Sequence, residues 1–105
     1  MALPKDLKET IRARIRNDES FRFALLSEAV EVLLTGDLAT AKSVLRDYIE
    51  ATIGFKKLST QTGLSPKSLM RMFSPAGDPR AAHIFQVISI LQKSEGIQLA
   101  VSAAA

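Results

Sequence analysis

The stretch Phe55–Ser74, FKKLSTQTGLSPKSLMRMFS, holds two short helical patterns separated by a glycine. Phe55, Leu58 and Thr62 share the inner face of the first helix, and Leu69, Met72 and Phe73 form the inner stripe of the second, at spacings of three and four. Gly63 supplies the break and Leu64 follows it as an apolar pin. Ser65 suits the cap of the second helix, with Pro66 at the first position, where a missing N–H costs nothing. Ser59, four residues before Gly63, has the small side chain needed by two helices crossing at about 90–120°. This is the helix-turn-helix pattern, in which the second helix enters the major groove of DNA.

The spacing alone also occurs in ordinary helical hairpins, so the outward residues carry the functional weight. They are Lys67, Ser68 and Arg71 on the second helix, with Met70 beside them, and Lys56 and Lys57 at the start of the first. No acidic residue occurs from Gly54 to Gly77, a composition that suits phosphate oxygens better than solubility alone requires. Lys67, Ser68 and Arg71 are therefore candidates for base-edge contact, Arg71 being suited to two parallel hydrogen bonds with a guanine. Lys56, Lys57, Thr60, Gln61, Ser65, Arg80 and His83 are candidates for phosphate contact, which positions a protein on DNA without reading sequence.

A chain of 105 residues, 47% hydrophobic and 24% charged, makes one soluble domain with one modest core. Its net charge of +3 does not imply nucleic acid, but the distribution is uneven. Residues 1–54 carry eight Lys/Arg against nine Asp/Glu, whereas residues 55–105 carry six against Asp78 and Glu95 alone, a neutral-to-acidic front and a basic back. The absence of cysteine excludes disulfides, thiolate zinc sites and a cysteine nucleophile. No metal or cofactor is called for. No apolar run reaches the length of a membrane span and the first residues lack the apolar core of a signal peptide, which points to a cytoplasmic protein.

Along the chain, residues 5–16 form a helix with a narrow stripe, Leu7, Ile11 and Ile15, read as a peripheral cover for the core or as a surface for a partner. Asn17 or Asp18 caps a second helix to about Thr35, closed by Gly36. It is apolar on two sides: Phe21, Leu25, Ala29, Val32 and Leu33 on one, Phe23, Leu26, Val30 and Leu34 on the other. It must be covered twice, by helices of this chain, a second copy or another partner. Asp37 caps a third helix to about Thr52, with Leu38, Ala41, Leu45, Tyr48 and Ile49 in register, ended by Gly54. After the helix-turn-helix, SPAGDP (74–79) is a dense turn signal, and Asp78–Pro79 suits the start of a further helix to about Lys93. Arg80 and His83 lie in its first turn, where His83 either meets a phosphate or is simply solvated. Ile97, Leu99 and Val101 alternate with Gln98, which suits a short strand whose edge pairs with the same strand of a second copy.

The pattern LSTQTGLSPKSLMRMFSPAGDPR, followed by an apolar helix and IQLAV, resembles the addiction-module antidote family, helix-turn-helix proteins related to host-inhibition antitoxins and phage-type repressors. Gly63, Leu64, Ser65, Ser68, Leu69, Ser74, Pro75, Gly77 and Pro79 match the family pattern, and Asp78 stands where asparagine is more common. The likeness covers roughly residues 18–101. The segment Gln92–Gly96 is longer than the family's usual link to its strand, and helix 5–16 lies outside the pattern. The resemblance implies a homodimer that binds operator DNA, represses its own operon and neutralises a small RNA-cleaving toxin.

The sequence thus predicts an all-α, phage-repressor-like helix-turn-helix domain of five helices with a short C-terminal strand. Residues 5–53 supply the N-terminal helices, 55–94 the helix-turn-helix core and following helix, and 97–101 a dimerising strand. The expected function is sequence-specific binding of double-stranded DNA, with a cognate toxin protein as second partner and no enzymatic activity. The alternatives are a free-standing regulator without a toxin and, from another class, a protein-interaction module. One histidine, no cysteine and carboxylates scattered along helix exteriors assemble no catalytic site.

Overall fold

Two aspartates set the frame. Asp18 Oδ1 accepts from the Phe21 N–H at 3.0 Å and starts one helix; Asp37 Oδ1 accepts from the Thr40 N–H at 3.1 Å and starts the next. The Thr40 hydroxyl adds a bond to Asp37 Oδ2 at 2.7 Å, and these Thr40 donors lower the pKa of the Asp37 carboxyl. The computed structural model describes residues 5–105, in the order α1 (Lys5–Asn17), α2 (Glu19–Leu34), α3 (Leu38–Ala51), α4 (Phe55–Thr62), α5 (Pro66–Met72) and α6 (Ala81–Glu95).

α2 and α3 form an antiparallel hairpin turned at Gly36, whose φ of +89° lies in the left-handed region. α1 packs across both. α4 packs on α5 and α6, and the two halves share one core: Ile15, Leu26, Leu45, Tyr48, Ile49, Leu58, Leu69, Phe73, Val87 and Leu91 are essentially inaccessible. The Phe55 and Phe73 rings lie 6.4 Å apart at 45°, joining α4 to the end of α5.

Three sequence expectations need correction. The helices number six among the described residues, not five: the α2–α3 hairpin, the two helices of the helix-turn-helix and α6 make five, and α1 is the sixth. α1 covers the core through the C-terminal part of its stripe, with Ile15 completely buried and Ile11 beside it, whereas Leu7 is 44% exposed. Asp78 does not cap α6; Arg80 occupies that position without a side-chain bond, and Asp78 is exposed in the preceding turn.

The third correction concerns the C-terminal strand, which is absent: no strand occurs among the described residues. Gly96, at φ +69°, ends α6, and the chain continues as an irregular tail. The Ile97 N–H donates to the Gln92 carbonyl at 3.1 Å and the Leu99 N–H to Gln92 Oε1 at 2.7 Å. Ile97 and Leu99 pack on the core, whereas Val101 is 77% exposed. Leu99–Ser102 lie across a cleft from Ser27, Val30, Glu31 and Leu34, so the tail borders the second apolar side of α2. The alternation of burial holds for Ile97 and Leu99 and fails at Val101, and the two inner residues meet helices rather than a sheet.

Candidate nucleic-acid interface

The turn between α4 and α5 is held by its own side chains. Gly63 takes φ +78°, and its N–H donates to the Ser59 carbonyl at 3.0 Å. Ser59 Oγ donates to the Leu64 carbonyl at 2.5 Å, and the Leu64 N–H donates to Thr62 Oγ1 at 3.1 Å. Ser59 is therefore more than a small residue at a crossing: it bonds across the turn. Ser65 caps α5, its Oγ accepting from the Ser68 N–H at 3.1 Å, with Pro66 in the first turn. The Ser65 hydroxyl also donates to Ser68 Oγ at 2.9 Å, which leaves the Ser68 proton available to an outside acceptor.

Leu69 is completely buried while Lys67, Ser68, Met70 and Arg71 are exposed. Ser65, Lys67, Ser68 and Arg71 line one shallow depression, so the three base-contact candidates and one phosphate-contact candidate share a surface. Lys56, Lys57, Thr60, Gln61 and Arg80 are exposed as well, and His83 is half-buried in the first turn of α6. The Thr60 hydroxyl donates to the Lys57 carbonyl at 2.7 Å, which commits its proton within the helix.

Lys57 stands elsewhere. It lines a second depression with Arg16, Arg22, Thr52, Ile53 and Glu95, and no residue lines both. Lys56 and Lys57 are adjacent in sequence but diverge by about 100° around a helix. The structure thus joins Lys57 to Arg16 of α1, a cation that the sequence did not connect with this region.

Ion pairing divides the molecule in the same way as charge. Among the described residues the pairs are Arg12–Glu50, Arg14–Asp18, Arg22–Glu95 and Arg46–Glu50, each with its arginine in α1, α2 or α3. None of Lys56, Lys57, Lys67, Arg71 and Arg80 belongs to one. The paired arginines all lie in the front, whereas these five cations of the back face solvent or line open depressions unpaired.

One buried cation lies outside the sequence reading. Lys42 of α3 is 6% exposed, and its Nζ donates to the carbonyls of Ser74 at 3.0 Å, Pro75 at 3.3 Å and Gly77 at 2.5 Å. It thereby ties α3 to the turn that follows α5. A signal existed: Lys42 is four residues from Leu38, three from Leu45 and seven from Ile49, on the apolar stripe where a solvated lysine does not belong.

No family model, curated protein or solved structure matches this chain.

Proposed function

We propose that this protein is a sequence-specific DNA-binding protein whose α5 enters the major groove. The supporting observation is the coincidence of geometry and charge. A capped helix after a left-handed glycine turn presents Lys67, Ser68 and Arg71 together, on a stretch with no carboxylate from Gly54 to Gly77. Lys56, Gln61, Ser65, Arg80 and His83 serve the flanking phosphates, and Lys57 with Arg16 extends that positive surface toward α1. The finer reading rests on the resemblance of residues 58–80 to the addiction-module antidotes: a homodimeric antitoxin that represses its own operon and neutralises a small RNA-cleaving toxin. The neutral-to-acidic front, centred on α2, is the side offered to such a basic partner. Co-expression with a neighbouring basic reading frame, read out as rescue of growth, distinguishes this from a regulator that acts alone.

The DNA reading is tested by titration against a duplex selected from a random pool and a scrambled control, at several salt concentrations. Arg71→Ala is expected to lose about 1–3 kcal/mol on the selected duplex and to relax preference at one base pair. Lys56→Ala is expected to weaken both duplexes nearly equally and to reduce the salt slope by about one. Neither side chain is buried, so both variants keep their fold. Undiminished binding of the selected duplex by folded Arg71→Ala removes α5 as the reading helix.

A further inference from the structure

The three N–H donors of one ammonium group meet three backbone carbonyls, those of Ser74, Pro75 and Gly77, at the end of the recognition helix. No carboxylate takes part. Burying a lysine costs desolvation, which the three carbonyl bonds offset. What the lysine adds is geometry. The turn it grips is closely seated on α5: a Cβ at Gly77 would lie 2.1 Å from the Arg71 carbonyl oxygen and 2.6 Å from that of Met72. Ser74 grips the same Arg71 carbonyl, through its N–H at 3.1 Å and its hydroxyl at 2.6 Å. Three residues after Gly77 stands Arg80, so one clamp governs both the peptide that carries Arg71 and the path to Arg80.

We propose that Lys42 is a positioning residue for DNA readout, holding the C-terminal end of α5 at the pose in which Arg71 addresses a base. The inference rests on the DNA-binding reading, and it assigns to α3, remote in sequence from the reading helix, a part in specificity. Lys42→Met keeps the length and apolar stem of the side chain and removes its donors. A variant that merely loses folded molecules weakens the selected and scrambled duplexes by the same factor; a misplaced reading helix lowers the ratio between them.

The test measures both duplexes at one salt concentration, together with amide hydrogen exchange at Ser74 and Gly77, whose N–H groups are bonded within the turn. For Lys42→Met the affinity ratio is expected to fall by about fivefold or more, a substantial part of one bidentate base contact, while the two amides exchange faster. Lys42→Gln, which keeps an amide donor, should fall between it and the parent, and it carries the measurement if the methionine variant does not fold. An unchanged ratio overturns the positioning role whatever the exchange rates do, and unchanged exchange overturns the clamp. A parent protein that cannot tell the two duplexes apart overturns the DNA reading itself, and this inference with it.

Discussion

Glu95→Ala is expected to destabilise the fold by about 3 kcal/mol, the upper end of the range for a hydrogen bond to a charged group, because both side chains of its ion pair are largely withdrawn from solvent. Arg22 Nε donates to Glu95 Oε2 at 2.7 Å, with side chains only 15% and 13% exposed. Arg22 Nη1 also donates to the carbonyls of Ile15 at 3.0 Å and Arg16 at 3.2 Å, so one guanidinium joins the end of α1, the start of α2 and the end of α6. The Glu95 bond raises the Arg22 pKa against the opposing effect of burial. Tyr48 lies in the same field: burial first, and then the Glu95 charge, pushes its phenol well above the ordinary value, and among the described residues its hydroxyl has no hydrogen-bond partner. Without Glu95 the guanidinium remains, enclosed and underpaired. The loss should appear as a lower denaturant midpoint at constant slope, or as roughly 12–24 °C in Tm. Arg22→Met combined with Glu95→Leu should recover much of it, because neither charge is then buried. A loss under 1 kcal/mol for Glu95→Ala would show that solvent already screens the pair.

Gly77→Ala is expected to cost about 3 kcal/mol, the upper end of the range for overpacking, because the atoms in the way are backbone. The added methyl would meet the Arg71 and Met72 carbonyl oxygens at 2.1 and 2.6 Å and the Met72 carbonyl carbon at 2.9 Å. Unlike Gly36, Gly54, Gly63 and Gly96, Gly77 has no positive φ; it is required by close approach, not by conformation. Relief demands that the turn lift from α5, which draws the Gly77 carbonyl away from Lys42. The costs of Gly77→Ala and Lys42→Met should therefore be less than additive, since either change releases the same turn. Thermal unfolding of the two single variants and the double variant measures the coupling, and strict additivity would separate the two contacts.

What was legible in the chain was local. Gly63, Ser65 and Pro66 announce a turn and a capped helix through their own backbone chemistry, and Asp18 and Asp37 do the same for α2 and α3. The exposed positions of Lys67, Ser68 and Arg71 follow from the helical period once Leu69 is placed inside. What was hidden depends on partners distant in sequence. Arg16 and Lys57 share a depression only because the fold brings the end of α1 and the start of α4 to one face, and Lys42 makes sense only when the 74–77 turn arrives above it. The tail misled because a period of two reports alternating burial and is silent about what does the burying. Its inward residues are covered by helices, with Gln92 taking two of its amides.

The Arg22–Glu95 pair joins groups 73 residues apart, whereas most packing here links successive helices. Such a closure comes late, after the nearby hairpins have formed, because the intervening chain must first be ordered. It therefore acts as a latch on the finished molecule rather than a guide to reaching it. Glu95→Ala should speed unfolding while leaving the folding arm of a chevron almost in place, so the pair governs how long a folded molecule lasts rather than how quickly one is made.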